Sequence, residues 1–282
     1  MMNRWTRILG LAMAVATAAA HSASAGPRDE ALLLGDSVAF GYIGSAGHEY
    51  INPENFVGFA DYLEPLLQVD SVDAACPGET SGSFVSAGAA DNGCRAFRAE
   101  FPLHIGYQST QLQFALGFLR QHPRVRLVTI TLGANDGFLL EDGCASQANP
   151  TLCIEAGVPA FLAGVERNLQ YAIASIRSAG FGGTIIVTNY YSTDYSDPQQ
   201  TGLTLLLNQA LAAAAAAQGA RVADLFSAFQ EVAANPLFAG KTCNTGLLNA
   251  SVQDPLLCDV HPSQSGHRLI AQTIARSYRK QP

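Results

Sequence analysis

Five short segments carry residue types suited to one kind of chemistry. The first is 31–42, ALLLGDSVAFGY, in which four apolar residues run into Gly35-Asp36-Ser37. The others are Cys76-Pro77-Gly78-Glu79-Thr80-Ser81, Gly133-Ala134-Asn135-Asp136, Asn189-Tyr190-Tyr191 and Cys258-Asp259-Val260-His261-Pro262. A serine hydroxyl is a weak nucleophile until a base removes its proton. A histidine, titrating near neutrality, is the natural base, which points to His261. The tetrahedral oxyanion formed when a serine attacks a carbonyl needs donors placed in advance. The backbone N–H groups of Ser37 and Gly78 and the side-chain amide of Asn135 can supply three. The set is that of acyl transfer through a covalent serine intermediate.

These segments must be brought to one place. Each of the first four follows a β-like run: ALLLGDS, the weaker QVDSVDAAC from Gln68, RVRLVTITLGAND from Arg124 and GGTIIVTNY from Gly182. A fifth run, GARVADLF from Gly219, completes the set. Near-continuous apolar strands indicate a sheet buried on both faces. Helical patterns lie between them: STQLQFALGFLRQH before Pro123, LTLLLNQALAAAAAAQG, and SQSGHRLIAQTIARSYRK at the end. A further helix from Val158 places Phe161, Leu162, Val165, Leu169, Ala172, Ile173 and Ile176 on one face and stops at Gly180. The stretches 82–109 and 138–157 read as irregular. Alternating strands and helices predict a three-layer α/β/α sandwich around a five-stranded, mostly parallel, doubly wound sheet. Such sheets bind ligands beyond the carboxyl ends of their strands, where the segments above are expected to gather.

Composition narrows the setting. A short apolar run after Arg4 and Arg7, ending at Ala23-Ser24-Ala25, predicts a cleaved signal peptide over 1–25 and one domain over 26–282. The run is too short for a membrane anchor, which needs roughly 20 residues. Loss of Arg4 and Arg7 takes the formal charge from −7 to −9, so nucleic acid is an unsuitable partner. No basic membrane-binding helix is present, and no stable anchor is expected after cleavage. Six cysteines, Cys76, Cys94, Cys144, Cys153, Cys243 and Cys258, favour three disulfides in an exported chain, with neighbour pairing 76–94, 144–153 and 243–258 preferred. No C-x-x-C pair supports zinc. No G-x-S-x-G elbow, phosphate loop or dinucleotide fingerprint occurs, and no metal or organic cofactor is implied.

The blocks GDSVAFG, PGETS, GAND and DVHPSQSGH resemble the SGNH hydrolases, also called GDSL esterases/lipases, in the order and rough separation of that family. The resemblance spans nearly all of the expected mature chain. It implies a flavodoxin-like fold with Ser37 as nucleophile, Gly78 and Asn135 in the oxyanion hole and His261 as base. One position departs. The family usually carries its orienting acid three residues before the histidine, where this chain has Cys258; Asp259 stands two before. The Asp259 carboxylate is the preferred partner of His261, the Cys258 carbonyl an alternative, and Asp254 a more distant one. His267 reads as a packing or helix-surface residue.

The expected activity is a secreted or periplasmic, monomeric serine ester hydrolase acting on small-molecule or lipid-like esters. Phe40, Tyr42, Phe56, Phe138, Leu139, Leu140, Tyr190 and Tyr191 are candidates for an apolar groove. A carbohydrate O-acetyl esterase and a non-catalytic surface-binding protein on the same fold are the alternatives.

Overall fold

The structure is a computed structural model, and it describes residues 26–252 and 258–280. The expected leader and Asp254 lie outside the described residues. In chain order the elements are β1 (Asp29–Gly35), α1 (Ser37–Phe40), α2 (Phe59–Leu67), β2 (Val69–Asp73), α3 (Ser81–Val85), α4 (Cys94–Glu100), α5 (Gln111–Gln121), β3 (Val125–Thr131) and α6 (Ala134–Cys144). They continue with α7 (Pro150–Ser178), β4 (Thr184–Thr188), α8 (Pro198–Ala217), β5 (Arg221–Ala223), α9 (Leu225–Ala233), β6 (Leu248–Ala250), β7 (Cys258–Pro262) and α10 (Gln264–Arg279).

Strands β1 to β5 form one sheet in the order β2-β1-β3-β4-β5, and every pairing is parallel. Its centre is dry. Residues 30–35 of β1 are all buried, and β3 exposes only Arg126. Helices α2, α9 and α10 pack together on one side, and α5, α7 and α8 on the other. The chain order reverses between β1 and β3, which is the switch point where a crevice opens in such sheets.

Three local expectations are corrected. The helix placed at Val158 starts at Pro150, with Asn149 capping through Leu152 N–H, and carries Pro159 in its interior. The stretch 138–157 is therefore largely helical, its two helices α6 and α7 bridged by Cys144–Cys153. The stretch 82–109 holds most of α3 and all of α4, which is joined to the segment after β2 by Cys76–Cys94. The third disulfide is Cys243–Cys258. A β6–β7 hairpin, which no periodicity announced, carries Asp259 and His261. Among the described residues no cysteine is free and no helix is long and apolar enough to cross a membrane.

Asp73, at the buried end of β2, accepts the Ala75 N–H at 2.8 Å. Burial pushes its carboxyl up to about 6. The folded state thus favours the protonated form. That contribution is complete below the unfolded value near 4 and is lost as pH rises through 6. Asp73→Asn, which keeps the acceptor, is expected to raise Tm relative to wild type at pH 7 and to leave it little changed at pH 4. Thermal unfolding of both proteins across that range is the check.

Candidate active site

Ser37 leaves β1 at the switch point, on a turn fixed by Asp36. Asp36 is buried; its carboxylate accepts Val38 N–H at 2.9 Å and the Tyr190 hydroxyl at 2.5 Å, while its own N–H donates to Thr131 O. Burial pushes the Asp36 carboxyl up to about 6, against the pull of those two donors. Burial and the Asp36 charge hold the Tyr190 phenol well above its ordinary value, so it remains a donor. Gln111 completes the strand end from beneath. Its side chain accepts Gly35 N–H and donates to Gly35 O.

His261 lies across the opening with both ring nitrogens engaged. Nε2 is 2.9 Å from Ser37 Oγ and Nδ1 is 2.9 Å from Asp259 Oδ1. Burial pushes the Asp259 carboxyl up, but the bond and charge of His261 and the Val260 and His261 N–H groups outweigh it, leaving a value below the ordinary one. An ionised carboxylate only accepts. Nδ1 therefore carries the proton, and Nε2 accepts the Ser37 O–H.

The two-residue spacing works because 258–262 is a strand. Side chains at i and i+2 of a strand project from the same face, so Asp259 and His261 stand side by side. The carboxylate fits because position 44 is glycine: a Cβ there would sit 2.9 Å from Asp259 Oδ2. The Tyr191 hydroxyl donates to Val260 O at 2.6 Å, between the two side chains, and Cys243–Cys258 anchors the start of the strand.

The remaining segments are bonded to one another and, through Cys76 N–H to Gly35 O, to the end of β1. Gly78 adopts φ +82°, a conformation that favours glycine. Asn135 donates one amide N–H to Glu79 O at 3.1 Å. The N–H groups of Ser37 and Gly78 have no hydrogen-bond partner among the described residues. Asp136 accepts from Ser81 N–H at 2.8 Å and from Ser81 Oγ at 2.6 Å, locking the start of α6 to the segment that carries Gly78. Glu79, buried below, accepts from the Ser83 hydroxyl and Gln111, and burial pushes it up to about 7.

A pocket of about 230 Å³ opens beside Ser37 and His261. Its walls are Leu140 of α6, Ile154, Val158 and Phe161 of α7, and Leu203 and Leu207 of α8. Of the groove candidates, Phe138, Leu140, Tyr190 and Tyr191 line it. Phe40 and Phe56 belong instead to the core. Tyr42 stacks with Phe56 and packs on His261 from outside the pocket, and Leu139 is not part of the wall. His267 is buried in packing, and burial pushes it down to about 3.

Position alone indicated Tyr190 and Tyr191, since they follow a strand, but not which groups they hold. Gln111 and Gly44 gave no sequence signal.

The parallel three-layer fold and the serine–histidine–carboxylate contacts define an SGNH-type hydrolase architecture. A sequence profile of the GDSL-like Lipase/Acylhydrolase family matches residues 33–269, so the chain belongs to that family and is a carboxylic-ester hydrolase. Comparison with functionally curated proteins gives no match. Solved structures share the fold at low identity. The acetylxylan esterase Axe2 of Geobacillus stearothermophilus is 17% identical, with a TM-score of 0.54 over 91% of this chain and 96% of that one. The lipase Lip_vut3 from a goat rumen metagenome is 15% identical, with a TM-score of 0.56 over 89% and 98%. LAE5 from the Lake Arreo metagenome, described as an alpha/beta hydrolase enzyme, is 15% identical, with a TM-score of 0.55 over 89% and 95%.

Asp259→Asn is expected to fold and to lower kcat/KM by about 10³–10⁴-fold, because the amide can donate to Nδ1 and favour the wrong tautomer. Gly44→Ala, which crowds the carboxylate, is expected to cost about 10–100-fold. Steady-state kinetics beside circular dichroism checks both. A near-wild-type Asp259→Asn enzyme would remove the carboxylate from the mechanism.

Proposed function

We propose that the protein is an exported serine esterase that cleaves esters with apolar acyl chains longer than acetyl. The observation that carries this reading is the unbroken line Asp259–His261–Ser37, with contacts of 2.9 and 2.9 Å, ending at the mouth of an apolar pocket. Ser37 Oγ attacks the ester carbonyl carbon while His261 Nε2 takes its proton. Charge gathers on the carbonyl oxygen, facing the N–H groups of Ser37 and Gly78 and the second amide hydrogen of Asn135. The intermediate collapses, the C–O bond to the alcohol breaks, and His261 returns the proton to the leaving oxygen. Water, deprotonated by His261, attacks the acyl-serine; the bond from the acyl carbon to Ser37 Oγ breaks, His261 returns the proton to Ser37 Oγ, and the acid leaves. Asp259 holds the ring in the required tautomer and stabilises its charged form.

The apolar wall supports the substrate preference. Its residues come from three helices, and the disulfide between α6 and α7 ties two of them together. Burial of a methylene is worth about 0.8 kcal/mol, or about fourfold in kcat/KM. Three disulfides and the leader-like first 25 residues support export to an oxidising compartment.

With aryl esters of increasing acyl length, kcat/KM is expected to rise about fourfold per methylene until the pocket is full. Val158→Phe, which fills it, is expected to move the optimum to shorter acids. Ser37→Ala is expected to fold and to lose on the order of 10⁴-fold or more in kcat. A flat length series would sink the acyl preference and favour a small-acyl substrate. Unchanged turnover by folded Ser37→Ala would sink the assigned nucleophile.

A further inference from the structure

One proposed oxyanion donor, the Asn135 amide, and the carbonyl of the residue that carries another, Gly78, are both bonded by one residue that belongs to none of the four sequence blocks. We propose that Asn92 is a positioning residue for the oxyanion hole, acting on Asn135 through its side chain and on Gly78 through its backbone. The proposal rests on the oxyanion roles given above.

Asn92 Nδ2 donates to Asn135 Oδ1 at 2.9 Å, and Asn92 N–H donates to Gly78 O at 2.8 Å. Glu79 O, which can only accept, sets which way the Asn135 amide points, and the Asn92 bond holds the amide oxygen from the other side. Its oxygen is engaged by a donor from Asn92, and one of its N–H groups is engaged by the acceptor Glu79 O. A flipped Asn135 amide would set its oxygen against Glu79 O and, with Asn92 as it stands, NH₂ against NH₂. In the unflipped state the second Nδ2 hydrogen is the one left for an incoming oxyanion. Asn135 is buried, so a rotated amide would not be compensated by water.

The second bond acts on the turn. Gly78 lies so close to this segment that a Cβ would fall 2.2 Å from Asn92 O and 2.9 Å from Cys94 N. The backbone of 92–94 therefore forms one wall of the Gly78 turn. Cys76–Cys94 bonds the two segments covalently on the far side of that contact. Asp91 keeps the approach in shape by accepting Gly93 N–H at 2.9 Å. Truncating the Asn92 side chain removes the bond to Asn135 and leaves the backbone bond and the disulfide in place. It therefore isolates the side-chain half of the role.

The test is a double-mutant cycle on kcat and KM with a short aryl ester. Asn135→Ala alone is expected to lower kcat about 10²–10³-fold. Asn92→Ala is expected to lower kcat about 10–100-fold with KM within twofold, because an orientation that matters only when charge develops acts on the transition state. In the Asn135→Ala background, Asn92→Ala is expected to cost less than twofold further, since its target is gone. Asn92→Asp, nearly the same size, is expected to lose activity progressively as pH rises and its carboxyl ionises, because a carboxylate cannot donate to Asn135. This variant keeps the test decisive if Asn92→Ala lowers Tm. A kcat within twofold of wild type for Asn92→Ala would overturn the proposal, as would losses that simply multiply in the double mutant. If Asn135→Ala itself leaves kcat unchanged, the oxyanion role of Asn135 fails and the clamp fails with it. A costly Asn135→Ala beside a harmless Asn92→Ala rejects the clamp alone.

Discussion

The imidazole of His261 has to touch a carboxylate two residues before it and a hydroxyl 224 residues before it at the same time. The first contact is a matter of strand geometry. The second depends on where a small antiparallel hairpin sits relative to the end of β1. A two-stranded hairpin has little stability of its own, so its position must be imposed from outside. The structure imposes it at several points around His261. Cys243–Cys258 fastens the start of β7, and the Tyr191 hydroxyl holds Val260 O. Ser263 then caps α10, which packs against α2 on one face of the sheet. The hairpin is thus docked onto the rigid part of the molecule on either side of the ring.

Beneath the opening lies a layer of buried acids. Asp36, Glu79 and Asp136 are each raised by burial, and each receives a hydroxyl, from Tyr190, Ser83 and Ser81 respectively. These acids cross-link elements: Asp36 joins β1 to β4, and Asp136 joins α6 to the segment after β2. Glu79 and Gln111 together connect that segment to the last residue of β1. Buried polar networks of this kind hold one arrangement firmly when every member is paired. Here they fix the turn backbones from which Ser37, Gly78 and Asn135 project. The helices of the apolar wall are tied into this layer, α6 through Asp136, α7 through Asn168, which donates to Ser81 Oγ, and α8 through Asn208, which bonds the Tyr190 backbone.

The amino-acid sequence by itself determined the sheet, its parallel sense and the segments that gather at its edge. Strand runs such as 31–34 and 125–131 are local and near-continuously apolar, and parallel connection places every strand's carboxyl end on the same side. Ser37, Gly78 and Asn135 could therefore be brought together without knowing a single long-range contact, whereas His261 joined them through the resemblance of DVHPSQSGH to the family's block. Local patterns failed where breakers and polar residues obscured them. Gly143, Pro150 and Pro159 hid the α6–α7 hairpin, whose two helices are stapled by a disulfide and packed against one another.

Tertiary structure alone decided the groups that act at a distance. Whether Asp259 or the Cys258 carbonyl faces His261 depends on whether 258–262 is a strand or a turn, and that depends on pairing with 248–250. The partners of Tyr190, Tyr191 and Asn92 lie 154, 69 and 43 residues away. A hydrogen bond between two such residues leaves no periodic trace in the chain, because its directionality is satisfied only after packing has fixed both backbones. Apolar periodicity records which face of an element is buried; it does not record which polar atom will be waiting there.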